Sequence, residues 1–318
     1  MSVAITPYPL NTYPSSPLWQ LSPIASNSSS GWVPSCTSSN CLPTASWSTG
    51  AVNSALTYRF YAFGFTLNGT VQGDMKLQVI RNDKEESLNS SGDILFAASG
   101  PTDQFLHQNL TIKVLEASAG ARLTINGAFL NASTLGDALL PSDRWTLPSN
   151  DGALKYTGFV QQQAAAGLAS PTTYVSSAAG DKVSMTFNAS AFTLYGPCGP
   201  SSGLMQVKLD DGSSETINTT KPIQSDDCLL YQSAPLAVDH LRSFEMENVD
   251  GRTLAINRVE YFRIITFTNG GRAAKVGGMV AGIVLGVIVA VAGLVILYST
   301  RGRKTRQKIN NSWKIFCS

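Results

Sequence analysis

The chain has 318 residues, a formal net charge of +2 and 14% charged side chains, a length that admits two domains of ordinary size or one large β domain. Residues 1 to 271 hold 15 Lys and Arg against 21 Asp and Glu, whereas the remainder holds eight basic residues and no acidic one. No basic stripe marks the large N-terminal part, which argues against nucleic acid as a partner.

Residues 1–21 read as a Ser/Pro-rich N-terminal segment, and the run 11–30 is expected to be flexible or packed only at Trp19. Residues 1–30 lack both a basic n-region and an apolar core of signal-peptide length, and the first charged side chain is Arg59. Three readings follow: a start that precedes the sequence given, a later span acting as signal-anchor, or a tail-anchored protein with cytosolic domains. The first agrees best with the remaining signals.

From residue 22 the pattern becomes that of short strands. Leu56, Tyr58 and Phe60 alternate with polar residues, the period of a half-buried strand. The phrase FTLNG at Phe65 returns 127 residues later as FTLYG at Phe192. At the same interval Gly31-Trp32 falls on Gly158-Phe159, Trp47 on Tyr174, and Leu56, Tyr58 and Phe60 on Val183, Met185 and Phe187. At an interval of 130 Met75, Leu77 and Val79 meet Met205, Val207 and Leu209; at 133 His107 meets His240; Leu123 to Asn126 then meets Leu254 to Asn257. Two copies of one β domain are expected, at 22–140 and 151–267. Each has alternating strands broken by Gly, Asn, Asp and Ser and no long helical period, so each is expected to be a β-sandwich. A linker is expected at 141–150, where prolines and turn formers gather.

The stretch 276–298 (VGGMVAGIVLGVIVAVAGLVILY) runs 23 residues without a charge. As a helix it would be about 34 Å long, enough to cross a hydrocarbon core of about 30 Å. Residues 268–275 would be juxtamembrane and 299–318 a basic tail. Arg301, Arg303, Lys304, Arg306, Lys308 and Lys314 put that tail in the cytosol and the N-terminal part outside, at the plasma membrane or another secretory-pathway membrane. Asn27, Asn68, Asn89, Asn109, Asn131, Asn188 and Asn218 each open an N-x-S/T triplet on the outer side, so a glycoprotein is expected. Gly278, Gly282 and Gly286 recur every four residues, a small-residue face through which two spans could pair, although glycine is also frequent in spans generally.

Five cysteines fit an oxidising compartment. Proximity pairs Cys36 with Cys41 and Cys198 with Cys228, and the spacing does not suit zinc. Cys317 is an unmodified cytosolic thiol or a palmitoylation site.

The order FTLNG or FTLYG, then LQV or VKLDDG, LFAAS or LLYQS, a lone His before an alternating strand, and LTIN or LAINRVEYF resembles fungal single-pass membrane proteins with tandem galactose-binding-like jelly-roll ectodomains. The resemblance covers residues 22 to 298. It implies two jelly-roll β-sandwiches followed by one transmembrane helix, and it rests on strand signatures. Repeat one has Arg81-Asn82-Asp83 where repeat two has Asp210-Asp211-Gly212, which implies unequal ligand binding by the copies.

Chemistry is sparse. Gly199 to Gly203 satisfies G-x-S-x-G, and Asp239 and His240 follow in hydrolase order, but a nucleophile elbow needs a strand, a strained turn and a helix. The pairs Asp210-Asp211 and Asp226-Asp227 suit calcium or, more commonly, turns. No catalytic, cofactor or metal residue is assigned. Trp32 and Trp47 have aromatic counterparts and belong to the core, which leaves Trp145 as the aromatic least explained by strand periodicity and the weak candidate for a sugar contact. The expected function is a non-enzymatic surface protein that binds or senses cell-wall polysaccharide or glycoprotein. The alternatives are a membrane-to-wall tether without a small ligand and, more weakly, a carbohydrate-active or ester hydrolase. Expected partners are membrane lipid, a wall polysaccharide or glycoprotein, and a second copy through the span.

Overall fold

The computed structural model describes residues 5–263 apart from Phe63, 100–105, 136–142, Asp211, Ser213 and 237–240. The expected span 276–298 with Gly278, Gly282 and Gly286, its flanks, Cys317, Asp239 and His240 lie outside the described residues. Among those described, no helix is long and apolar enough to cross a membrane.

The first repeat contains β1 (Ile5–Thr12), β2 (Trp19–Ser22), β3 (Val33–Pro34), β4 (Trp47–Thr49), β5 (Ala55–Ala62), β6 (Gly64–Gln72), β7 (Met75–Arg81), β8 (Lys84–Glu86), β9 (Ile94–Ser99), β10 (Leu106–Ala117) and β11 (Arg122–Leu135). One sheet runs β2-β5-β10-β7-β8, the other β3-β4-β11-β6-β9 with β1 added on β11. Alternation explains how they close. Leu56, Tyr58 and Phe60 of β5 and Leu110, Ile112 and Val114 of β10 are buried against Phe65 and Leu67 of β6 and Leu123 and Ile125 of β11. Trp19 stacks on Tyr58 at 4.0 Å and Tyr58 on Phe60 at 4.2 Å, and Phe60 meets Phe65 edge-on at 4.7 Å. This aromatic column supplies both area and offset ring contacts to the core.

The second repeat contains β12 (Asp143–Pro148), β13 (Lys155–Thr157), β14 (Val160–Gln163), β15 (Thr172–Ser176), β16 (Lys182–Phe187), β17 (Ala191–Cys198), β18 (Leu204–Leu209), β19 (Ser214–Asn218), β20 (Ser225–Gln232), β21 (Arg242–Asn248), β22 (Leu254–Ile256) and β23 (Arg258–Arg263). Its sheets run β13-β16-β21-β18-β19, β12-β23-β17-β20 and β14-β15-β22. Each path reproduces one of the first repeat, with β22 and β23 together standing for β11. Both repeats are therefore mainly-β, antiparallel sandwiches of one topology.

Strand pairing corrects the register of the repeat in two places. Leu110 lies opposite Tyr58 and Phe244 opposite Met185, which makes Leu110 and Phe244 equivalent, an interval of 134 where the histidine match used 133. Likewise Val79 lies opposite Ile112 and Val207 opposite Met246, so Val79 matches Val207 rather than Leu209. Backbone detail supports this register. Asn82 and Asp210 both have positive φ, and their side-chain oxygens accept from Asn109 N–H and Ser243 N–H at 2.9 and 2.8 Å. The Val79 correction is a shift of two residues, which keeps the same face inward and is why the apolar pattern alone did not reveal it.

The N-terminal segment also differs from expectation. Residues 5–12 pair with β11 over eight positions, and Trp19 is fully buried. Pro7 and Pro9 are two apart, so both missing donors fall on one side of the strand, as an edge strand tolerates. The expected linker differs for a similar reason: β12 pairs with β23 over six positions, and Leu147 packs against the second core.

The two sandwiches meet through the outer face of the β12-β23-β17-β20 sheet. Tyr195 and Leu229 belong to the first repeat's core cluster. The Gln232 side-chain amide accepts from Tyr61 N–H at 3.0 Å and donates to Tyr61 C=O at 2.8 Å. Lys221 reaches across to donate to the carbonyls of Ser16 and Trp19. Ser39 and Asp226 bond through both side chain and backbone.

Candidate functional site

On the β13-β16-β21-β18 face of the second repeat, Val183, Met185, Phe244, Met246, Met205 and Val207 point into the core. The period of two then turns the intervening residues outward. Register aligns them into a row across four strands: Lys155 opposite Ser184, Ser184 opposite Glu245, and Glu245 opposite Lys208. A second row sets Thr186 beside Ser243, which Asp210 caps. Together with Ala153 they line an open groove of about 510 Å³.

Short hydroxyl side chains form the groove floor and long charged ones its sides. Its carboxylates are already engaged: Asp210 accepts from Arg242 Nη1 at 2.7 Å, and Glu245 accepts from Lys182 Nζ at 2.9 Å. Lys182 is held above its usual pKa by hydrogen bonds to Glu245 and Glu247. The hydroxyls of Ser184, Thr186 and Ser243 make no side-chain hydrogen bond among the described residues, and Lys155 and Lys208 have no ion pair among them; Lys155 donates only to Gly152 C=O. Unengaged donors and acceptors facing one groove are what a polyhydroxylated ligand can use.

A second, smaller pocket of about 230 Å³ lies where the repeats meet, lined by Asn11, Thr12, Tyr13, Tyr195, Asp227 and Arg258 among others. Its charges are satisfied internally. Arg258 lies 3.8 Å over the Tyr195 ring and bonds Asp227 at 2.7 and 2.6 Å and Glu260 at 2.9 Å, and Glu260 also pairs with Arg144. This network lies within the second repeat and leaves little for a ligand.

The residues singled out from sequence are placed as follows. Cys36–Cys41 and Cys198–Cys228 are both disulfides. Asp226 bonds Ser39 of the first repeat, and Asp227 bonds Arg258 and Asn257 of its own; Asp210 has φ of 52° and caps a turn. Residues 199–203 join β17 to β18 through isolated bridges from Gly199 to Thr220 and Ser202 to Thr253, without the helix an elbow requires. Trp32 and Trp47 are buried. Trp145 is 52% exposed, lies parallel to Tyr261 at 6.3 Å, and does not line the groove. Asn27, Asn89 and Asn218 are exposed and Asn68, Asn109 and Asn188 half-buried, while the side chain of Asn131 lies outside the description. Sequence reading missed the groove residues. Lys155 and Lys208 sit 53 positions apart, and only register joins them.

No family model and no curated protein matches the chain. Among solved structures it is similar to Paenibacillus xanthan lyase at 10% identity and TM-score 0.31, spanning 82% of this chain but 25% of that one. It is also similar to the N-terminal CBM22-1-CBM22-2 tandem domain of Paenibacillus barcinonensis Xyn10C at 11% identity and TM-score 0.23, covering 83% of this chain and 100% of that one. A third likeness, at 9% identity and TM-score 0.16, is to the Arthrobacter globiformis T6 isomalto-dextranase complexed with panose, with 68% and 36% covered. Likenesses of this score carry no weight for function; the groove's own chemistry does.

Proposed function

We propose that the protein is a glycan-binding surface protein, anchored by residues 276–298, whose second repeat takes a polysaccharide or a glycoprotein's sugar in the Lys155–Lys208 groove. The observation that carries this reading is the set of three unengaged hydroxyls, Ser184, Thr186 and Ser243, on the floor of one open groove. Sugars offer hydroxyls at the spacing such a floor can bond, and an open groove admits a chain rather than an end. The reading is non-enzymatic. Among the described residues the floor hydroxyls bond no base, and the groove's carboxylates are ion-paired, Asp210 with Arg242 and Glu245 with a Lys182 that Glu247 shares.

The first repeat supports a scaffold role. Of the floor hydroxyls, Ser184 corresponds to Thr57, which bonds Thr111 at 3.3 Å, while Arg59 stands where the second repeat has Thr186 and Asn109 of a sequon where it has Ser243. A tether without a ligand is the second reading, favoured by the interface that joins the two sandwiches. The test is a glycan array probed with the full chain, folded on secretory membranes and purified in detergent, beside Ser184→Trp, which fills the floor. Saturable binding lost in the variant supports the reading. No saturable binding by the wild type favours the tether.

A further inference from the structure

The two repeats share strand order and register, so each groove position in one has a definite counterpart in the other. The row Lys155, Ser184, Glu245, Lys208 corresponds to Gln20, Thr57, Thr111, Ile80. One scaffold thus carries a neutral row in the first repeat and a row with a lysine at each end in the second. Between those lysines, Glu245 is taken by Lys182, and Asp210 in the adjoining row is taken by Arg242. Lys182 is shared with Glu247, so Lys155 and Lys208 are the groove's cations without an ion pair among the described residues.

We infer that the groove selects glycans bearing carboxylates, uronic-acid polymers, through Lys155 and Lys208. The inference rests on the glycan-binding reading above. The lysines stand three strand spacings apart, roughly 14 Å between backbones, with flexible stems that shorten the gap between ammonium groups. That distance accommodates several sugar units. A chain laid along the row therefore meets one ammonium near each end while its hydroxyls face Ser184, Thr186 and Ser243. A single carboxylate would use one lysine; a polymer with repeated carboxylates uses both. The attraction is exposed and coulombic, so it weakens as salt rises.

Polygalacturonate and a neutral xylan are titrated into the detergent-purified full chain at low and moderate salt. The wild type is compared with the Lys155→Ala/Lys208→Ala double variant and with Ser184→Trp. The double variant removes exposed side chains, and an unchanged melting temperature verifies its fold. The expected result is polygalacturonate binding that falls about tenfold in the double variant and weakens with salt. Xylan should bind more weakly and be insensitive to the lysines. Equal binding of both polymers, abolished by Ser184→Trp, overturns the charge selection and leaves the glycan-binding reading intact. Polygalacturonate binding that survives both variants places the anion elsewhere, such as the basic tail, and also overturns the inference. No binding of any glycan, here or on the array, removes both readings.

Discussion

Lys221 is a long side chain with 8% exposure and no ion pair among the described residues. Burial holds its pKa down to about 7 from 10.5, and its two bonds, to Ser16 and Trp19 carbonyls at 3.1 and 2.7 Å, are ones a neutral amine can still donate. Because the folded pKa lies below the unfolded one, the unfolded chain binds the extra proton between about pH 7 and 10.5, and stability rises with pH across that window. The full effect is on the order of a few kcal/mol. Thermal melts of the full chain between pH 7.5 and 9.5 should show the midpoint rising, and Lys221→Met should flatten that slope. A variant with the wild-type slope would assign the rise to other groups. The sequons divide by exposure: Asn27, Asn89 and Asn218 leave room for a glycan in the folded protein. Peptide mapping of the secretory form should find these three occupied, and Gln at any one of them should lower the apparent mass. Unmodified peptides at all three would argue against passage through the secretory pathway.

The strands that sequence made most visible are those with alternating apolar residues, such as β5 and β16, because burial on one face writes a period of two directly into the chain. Strands β1 and β12 were not visible. Each is an edge strand rich in proline or polar residues, and its pairing comes from a partner far along the chain, β11 and β23. The long β11 bends at Gly127, where φ is 152° and an added Cβ would lie 2.7 Å from Thr12 C=O. The second repeat instead breaks at Asn257, whose side chain bonds Thr173, Asp226 and Asp227. Between elements, the Cys198–Cys228 bond closes 30 residues and Cys36–Cys41 closes five. Loop-closure entropy predicts about 3 to 4 kcal/mol for the longer ring and about 2 for the shorter. Replacing both cysteines of each pair with serine should lower the melting midpoint more for Cys198/Cys228. The reverse order would mean that native packing, not loop length, decides.

Across residues 5–263, the two sandwiches share buried side chains, a two-way amide bond to Tyr61, and the bonds of Lys221 and Asp226 to Ser16, Trp19 and Ser39. Calorimetry of the full chain should therefore show one cooperative transition for both repeats. Two separated transitions would show that the interface couples them weakly. Glu260→Ala removes a carboxylate shared by two guanidiniums, one of them on a side chain only 10% exposed. Arg258 keeps its two bonds to Asp227, so the loss is that of one charge-assisted bond at a buried guanidinium, about 1.5 to 3 kcal/mol. A melting midpoint within a degree or so of wild type would mean that Asp227 alone suffices to hold Arg258.

Strand period, the internal repeat, both disulfide pairings and the place of Trp32 and Trp47 in the core were legible in the order of residues, because each follows from neighbours or from a repeated local pattern. The groove, the interface and the roles of Asp210 and Asp227 were not. They depend on cross-strand register and on which outer face a second domain covers, and a shift of two residues preserves the apolar pattern while changing every cross-strand neighbour. Register is set by the packed cores and the turns, so Lys155, Ser184, Glu245 and Lys208 become one row only when the sheet has formed.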